Sequence, residues 1–466
     1  MQLISLQSIA QICDAKIIGA PTGVEIAGVS TDSRQVKVGD LFVAIRGETF
    51  DGHDFAFQAI TQGASGVMME RLPAPDSPKF PVLLVQNTRL ALGQLANAYR
   101  KRFSLPIVAI AGSNGKTTTK EMLAAVLAQR WRTLANKNSF NNDIGVPLTL
   151  FELTAAHEVA VLEAGTNHPG ELTSLLDLIA PRYGILTSIG REHLEFFQDL
   201  EGVAKEEASL YEALPADGEL FASSQTRPFL KARMRTAPAV TFVGPNTNWQ
   251  WDILEMGPEG TRFQLRTPDS EWAGEYFCKF VGEHNVTNAV LALVVGRKLG
   301  TGRAEVARGL AECNPPKMRL NSYDLGGVLV LDDCYNANPD SMAAALRTLK
   351  RIAAGRRAIA VLGDMAELGS LSQQAHLELG AEASNCGIDL LYAKGKFAGE
   401  IVKGAQRNGL ANAFQSNESE ELVSELAASV TSGDVVLFKA SRSARFELIQ
   451  KSWREKVCMN LAQATV

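Results

Sequence analysis

The chain has 466 residues, 46% of them hydrophobic and 21% charged, with a formal net charge of -5. That length exceeds what one hydrophobic core organises and suggests roughly two to four domains. The balance of charge, without a run of like charges, excludes an extended nucleic-acid or anionic-membrane footprint and favours a small-molecule substrate.

The opening MQLISLQSIAQICDAKIIGA has no basic start, no uninterrupted apolar stretch and an acid at Asp14, so no signal peptide is expected there. No segment of the chain reads as a membrane span. Cys13, Cys278, Cys313, Cys334, Cys386 and Cys458 are scattered without a CxxC pair, as in a reducing compartment, and a cytoplasmic location is expected.

Residues 1–85 carry short β-type runs such as DLFVAI and SGVMM with two brief helical patterns, the pattern of a small α/β domain. The Pro-rich RLPAPDSPKFP leads to PVLLVQ and to an amphipathic stretch, Thr88 to Phe103, in which Leu92, Leu95, Ala96 and Tyr99 recur at helical spacing. Residues 86–314 form the second predicted domain. PIVAIA, a glycine loop, KTTTKEMLAAVLAQR, EVAVLEAG, GELTSLLDLIA and YGILTSIG alternate strand and helix, which predicts a parallel sheet. WQWDILEM, TRFQLRT and EYFCKFV read as a small antiparallel addition. CNPPKM forbids helix continuation, and residues 315–466 resume the alternation in GGVLVLDD, RAIAVLGDM, IDLLYAKG and DVVLFKAS, as in a doubly wound, Rossmann-like sheet.

Between a strand and a helix, Gly112, Ser113, Asn114, Gly115, Lys116, Thr117 and Thr118 form a GxxGKTT variant of a phosphate-binding loop, with Ile110 where the usual spacing has glycine. Backbone N–H groups there can cradle phosphates, Lys116 can neutralise them and Thr117 can hold Mg²⁺, the alternative being a glycine-rich turn capped by threonine. Glu163 and His193 each follow an apolar strand and should emerge beside this loop; a carboxylate in that place holds Mg²⁺ directly or through water, the alternatives being ordinary surface side chains. Lys205, Glu206 and Glu207, read on charge alone, are a solvated helix face. His284, Asn285 and Asn288 open an apolar helix and either cap it or read a base edge. Asp332 and Asp333 end a strand before an Asn-rich turn, and are either a turn and cap or part of a site.

GSNGKTT, NNDIGVPLT, NHPGE, GEHNVTN, DDCYNANPDSM and LGDMAELG, in that order, together with VSTDSRQVKVGDLFVAIRGETFDGHDF, resemble the Mur ligase family along nearly the whole chain. The resemblance implies three α/β domains: a UDP-sugar-binding domain, a central P-loop ATPase domain and a Rossmann-like C-terminal domain. It implies an ATP-dependent, amide-forming activity with two Mg²⁺ ions, and by its last two motifs and the TDSR segment a reaction joining D-alanyl-D-alanine to a UDP-N-acetylmuramoyl tripeptide. It places Lys116 on the β and γ phosphates, Thr117 and Glu163 on one Mg²⁺, His193 with Glu163 on a second, Asn285 at adenine, Arg319 at the γ-phosphate and Asp333 at the ribose. Ser30, Thr31, Ser33 and Arg34 would lie near the UDP, and Asn336, Asn338, Ser441 and Arg442 near the dipeptide. A monomer is expected.

Two positions depart from that pattern. Relatives commonly carry a carbamoylated lysine in a segment like AKAKGE, where this chain reads AKEEAS, and the modified position falls on Glu207, with Lys205 as the alternative. Glu207 is therefore expected to supply an unmodified metal-ligating carboxylate. Relatives also often have glycine at the position of Ala440. The rival readings are a folate-glutamate ligase of the same superfamily, which should lack TDSR and YNANP, and a P-loop regulatory module, which should carry a guanine-reading NKxD where this chain has NKNS at 136–139.

Overall fold

The computed structural model describes residues 1–19, 23–72, 80–234 and 237–464, the side chains from 459 onward excepted. Most of the expected linker RLPAPDSPKFP lies outside the described residues. Among the described residues no helix is long and apolar enough to cross a membrane.

Near the N-terminus a five-stranded sheet runs in the order Lys16–Ile18, Val82–Leu84, Gly66–Met69, Asp40–Val43, Gly28–Ser30, parallel except for its first pair. The strands Asp40–Val43 and Gly66–Met69 are buried throughout, which is why they read as unbroken apolar runs. The helix Thr88–Arg100 starts at Asn87, whose side chain accepts from the N–H of Leu90. Its Leu92, Leu95, Ala96 and Tyr99 are all buried, as their spacing predicts, and it packs on the helices Gly145–Leu150 and Glu171–Ile179.

The central sheet has six parallel strands in the order Ala239–Val243, Glu219–Ser223, Tyr183–Leu186, Ile107–Ala111, Val159–Glu163, Thr133–Ala135. Successive strands are laid down on opposite sides of Ile107–Ala111, so a crevice opens at its carboxyl end between Leu186 and Glu163. The strands Gln250–Gly257, Gly260–Arg266 and Gly274–Cys278 form the expected antiparallel addition.

The C-terminal sheet runs Asn321–Leu325, Val328–Asp333, Val435–Lys439, Ala358–Gly363, Leu390–Lys394, Ala413–Gln415, and all pairs but the first are parallel. The antiparallel edge is a hairpin through Gly326 and Gly327, both at positive φ (62° and 85°). Such a turn admits glycine without strain and suits the twist of the flanking strands. Ala440 is fully buried against Gly363: a Cβ on that glycine would stand 2.7 Å from the Ala440 Cβ and 2.5 Å from the Phe446 ring. The departure at 440 thus depends on the glycine of LGDM. The six cysteines are free, and burial pushes the thiols of Cys13 and Cys313 up to about 12.

Candidate active site

The phosphate loop sits at the crevice of the central sheet. Gly112 has φ 120° and Gly115 φ 89°, values that strain any residue with a side chain. A Cβ on Gly112 would come within 2.3 Å of the Thr187 hydroxyl, and one on Gly115 within 2.6 Å of the Asn288 side chain. The loop is tied to the exit of the neighbouring strand: Ser113 N–H donates to the Ser188 carbonyl (3.0 Å), Asn114 N–H to the Ser188 hydroxyl (2.8 Å) and Gly190 N–H to the Ser113 hydroxyl (2.8 Å). Ile110 completes the buried strand below. Lys116 folds back to donate to the Gly112 carbonyl at 2.6 Å. Burial works against its charge, but the carboxylates of Glu192, Glu207 and Glu163 together outweigh it and raise the amine's pKa.

Glu163 is buried at the end of its strand and held from two directions. Asn136 brackets its backbone, accepting from the N–H at 2.9 Å and donating to the carbonyl at 3.1 Å, while Asn141 donates to Oε1 at 2.7 Å. Fully buried Lys120 fixes the same loop through the carbonyls of Asn136 (2.6 Å) and Asn138 (2.9 Å). Oε2 of Glu163 is left buried without a partner.

The solvated-face reading of Lys205, Glu206 and Glu207 fails for both glutamates. Lys205 is exposed, but Glu206 and Glu207 are buried, because the helix Leu200–Glu207 turns them toward the start of the helix Glu171–Ile179 and the phosphate loop. Glu206 accepts from the N–H groups of Gly170 (2.8 Å) and Leu172 (2.9 Å) and from the Thr166 hydroxyl (3.1 Å), anchoring the start of the helix Glu171–Ile179. Glu207 accepts from the N–H of Gly112 in the phosphate loop, and its Oε2 has no partner. Burial pushes its carboxyl up to about 8, against the pull of Lys116 and with a contribution from the nearby Glu192.

Leaving a buried carboxylate oxygen unpartnered costs at least about 1–3 kcal/mol. Two such oxygens, on Glu163 and Glu207, around one loop fit a divalent cation. Among the described residues no three acidic, His or Cys side chains converge into a ready-made cage, so the cation would also draw on nucleotide oxygens, as Mg²⁺ normally does.

His193 follows at φ 49°. Its Nε2 lies 3.7 Å from Glu192 Oε2, its Nδ1 is hydrogen-bonded to Glu367 across the cleft, and Phe197 packs edge-on against its ring. Glu192 is also 3.7 Å from the Lys116 amine. This buried carboxylate was not singled out from the sequence, although it directly precedes His193.

The C-terminal sheet closes the other wall. Arg319 donates to the Thr117 hydroxyl at 3.0 Å and lies over the Tyr335 ring at 4.1 Å. The Tyr335 hydroxyl meets that of Ser139 at 2.5 Å, and Asn338 pairs with Asn114 at 2.9 Å. Asp333 accepts from Lys439 at 2.6 Å. Asn285 and Asn288 bond to each other at 3.0 Å, and Asn285 also donates to the Val281 carbonyl. All of these line one cleft of about 2930 Å³, to which the N-terminal side contributes Glu48, Asn87 and Arg89.

Four other expected positions form a separate group. Ser30, Thr31, Ser33 and Arg34 are outside the cleft lining; Arg34 pairs with Asp32 at 2.9 Å and the Ser33 hydroxyl donates to Gln58 at 3.1 Å. Ser441 is buried and binds Ala366 N–H and the Ala337 carbonyl, and exposed Arg442 pairs with Glu447; neither lines the cleft.

A phosphate loop at the switch point of a parallel sheet, opening on a cleft that a second parallel sheet completes, defines a nucleotide-dependent P-loop enzyme. Profiles described as "Mur ligase family, catalytic domain", "Mur ligase middle domain" and "Mur ligase, glutamate ligase domain" match residues 25–100, 110–296 and 318–442. The chain belongs to the Mur ligase family. The UDP-N-acetylmuramoyl-tripeptide--D-alanyl-D-alanine ligase of Escherichia coli is 34% identical over 459 residues, covering 97% of this chain and 98% of that one. The ligase of the same name from Bacillus subtilis is 34% identical over 91% of this chain and 93% of its own. A crystal structure of MurF from Acinetobacter baumannii superposes with TM-score 0.88 at 31% identity, covering 98% and 99% of the two chains. The MurF ligase of Thermotoga maritima in complex with ADP gives 0.83 at 28% identity, covering 93% and 98%.

Proposed function

We propose that this chain is an ATP-dependent ligase that joins D-alanyl-D-alanine to the terminal carboxylate of a UDP-N-acetylmuramoyl tripeptide in the cytoplasm, acting as a monomer. The observation that carries the reading is the convergence on one phosphate loop of Lys116, the half-partnered carboxylates Glu163 and Glu207, and Arg319 from the facing sheet. Relatives bearing that ligase name match nearly the full chain, which supports the choice of substrates. The three domains are taken as 1–85, 86–314 and 315–466.

A carboxylate resists amine attack because it is anionic and its oxygen leaves poorly. Transfer of the γ-phosphoryl group of ATP to that oxygen gives an acyl phosphate and ADP; the dipeptide's free amine then attacks the carbonyl carbon, phosphate leaves with the bonding pair, and the amine proton is lost to give the amide. Lys116 and Arg319 stabilise the charge that develops on the transferring group. Mg²⁺, two ions in this reading, supplies Lewis-acid neutralisation of the phosphate oxygens when bound. Thr117, Glu163, His193 and Glu207 are the residues that would hold it. Asn285 faces the adenine and Asp333 the ribose, Asn336 and Asn338 the dipeptide with help from Ser441 and Arg442, and Ser30, Thr31, Ser33 and Arg34 the UDP.

Phosphate release tests the proposal. It should require both the UDP-tripeptide and D-alanyl-D-alanine, and running the lysine and diaminopimelate tripeptides in parallel identifies the third residue. Slow hydrolysis independent of both substrates would instead indicate a nucleotide-dependent regulatory module, and turnover with a folate and glutamate would indicate the folate-type ligase.

A further inference from the structure

The contact between His193 and Glu367 joins two units of the chain 174 residues apart in sequence. Three observations mark it as built. Glu367 adopts φ 59° and His193 φ 49°, left-handed conformations that strain a residue with a side chain. The Glu367 carbonyl accepts the N–H of Glu195 at 3.0 Å, so backbone as well as side chain is clamped to the histidine turn. Gly369 sits 3.2 Å, measured from a Cβ built on it, from the Glu195 Cα, so the segment after Met365 lies directly against that turn.

The imidazole is thereby held on three sides. Phe197 packs edge-on against the ring, Glu367 takes Nδ1, and Nε2 is turned toward Glu192, which in turn lies 3.7 Å from the Lys116 amine. A carboxylate on Nδ1 keeps the hydrogen there and leaves the Nε2 lone pair free for a ligand.

We propose that Glu367 is a positioning residue that orients His193 for metal binding, so that docking of the C-terminal sheet completes a metal site otherwise built by the central one. This rests on the metal reading of His193 given above. Linkage makes the effect reciprocal: the factor by which docking raises metal affinity is the factor by which metal favours docking.

The test is Mn²⁺ titration of the full chain with a non-hydrolysable ATP analogue, followed by the EPR signal of free Mn²⁺. Glu367→Ala should weaken the Mn²⁺ ion at His193 by about 10–100-fold, the range for removing a ligand's supporting partner. Glu367→Gln, which can still accept from Nδ1, should lose less. In a His193→Ala background Glu367→Ala should change nothing further. Glu378→Gln, at an exposed carboxylate that meets Arg191 (3.3 Å) and Gln374 (2.9 Å) but not the imidazole, should leave Mn²⁺ affinity unchanged. If His193→Ala does not alter Mn²⁺ binding, the metal reading of His193 fails. If His193→Ala weakens it while Glu367→Ala does not, or if Glu367→Ala acts equally in both backgrounds, the positioning role fails.

Discussion

The two six-stranded sheets hold the functional groups in and beside one cleft in opposite ways. In the central sheet Glu163, Glu207 and Lys116 are fixed by their own unit, Glu163 by Asn136 and Asn141, Glu207 by its own helix and the loop N–H of Gly112, and Lys116 by the loop carbonyl of Gly112, while His193 takes its Nδ1 partner from the facing unit. In the C-terminal sheet Arg319, Tyr335, Asn338 and Glu367 are each satisfied by a partner across the cleft. A largely preformed floor therefore faces a wall in which these four groups find their cross-cleft partners only when docked, whereas Asp333 is held by Lys439 of its own unit. Mutations in the floor should strike turnover itself, and mutations in the wall should act through affinity and closure.

The largest effect should come from Lys116→Met. It removes the amine that lies in the field of Glu163, Glu192 and Glu207, and turnover should fall by about 10²–10³-fold, the usual loss for a group aimed at the transferring charge. Phosphate release measured beside a circular-dichroism check of folding decides it; a loss under tenfold would remove the loop from the chemistry.

Glu207→Gln should lower Mg²⁺-dependent turnover by about 10–100-fold and raise the Mg²⁺ requirement. Unchanged turnover, or a carbamoylated Lys205 in the intact mass, would overturn the role given to Glu207. The same variant has a metal-free signature. The folded carboxyl titrates at about 8 against an ordinary value of 4.5, so between those pH values the folded chain holds a proton that the unfolded chain releases. Stability measured in a chelator should accordingly fall as pH rises from about 4.5 to about 8, and Glu207→Gln should flatten that slope. An unchanged slope would show that the proton resides elsewhere.

Asn141→Ala tests whether the floor is preformed. Glu163 Oε1 would lose its one side-chain donor, and turnover should drop about tenfold with the Mg²⁺ requirement raised, while dipeptide affinity stays as it was. A change confined to the dipeptide would mean that the NNDIG turn belongs to the wall.

The floor was largely legible in the sequence because its signals are local. GSNGKTT between a strand and a helix, and Glu163 ending an apolar run, follow from spacing alone. The fate of Glu206 and Glu207 was not, since three adjacent charges give no sign of which side of a helix is buried. Glu192 went unnoticed for the same reason: its importance comes from Lys116, which is distant in sequence. The hairpin at Gly326 and Gly327 did carry a signal, a Gly-Gly pair between two β-type runs, and could have been found. The bonds across the cleft join residues as many as 224 positions apart, and no periodicity encodes them.

The smallest effect should belong to Asp340→Asn, at the rim of the wall. Asp340 accepts the Arg191 N–H at 2.7 Å and pairs with its guanidinium at 3.1 Å, but both side chains are about two-fifths exposed (41% each). Solvent screening leaves such a pair about 0–1 kcal/mol, and asparagine can still accept the backbone N–H. Closure should weaken by no more than about fivefold, appearing as a raised KM for the dipeptide with kcat unchanged and fading further at high salt. The contrast with Glu367 is then informative: both residues bridge the same two units next to the His193 turn, yet only Glu367 touches the imidazole. If Asp340→Asn reduced kcat as much as Asn141→Ala, floor and wall would not be separable, and the turn Gly190–His193 would have to be treated as one element shared by both sheets.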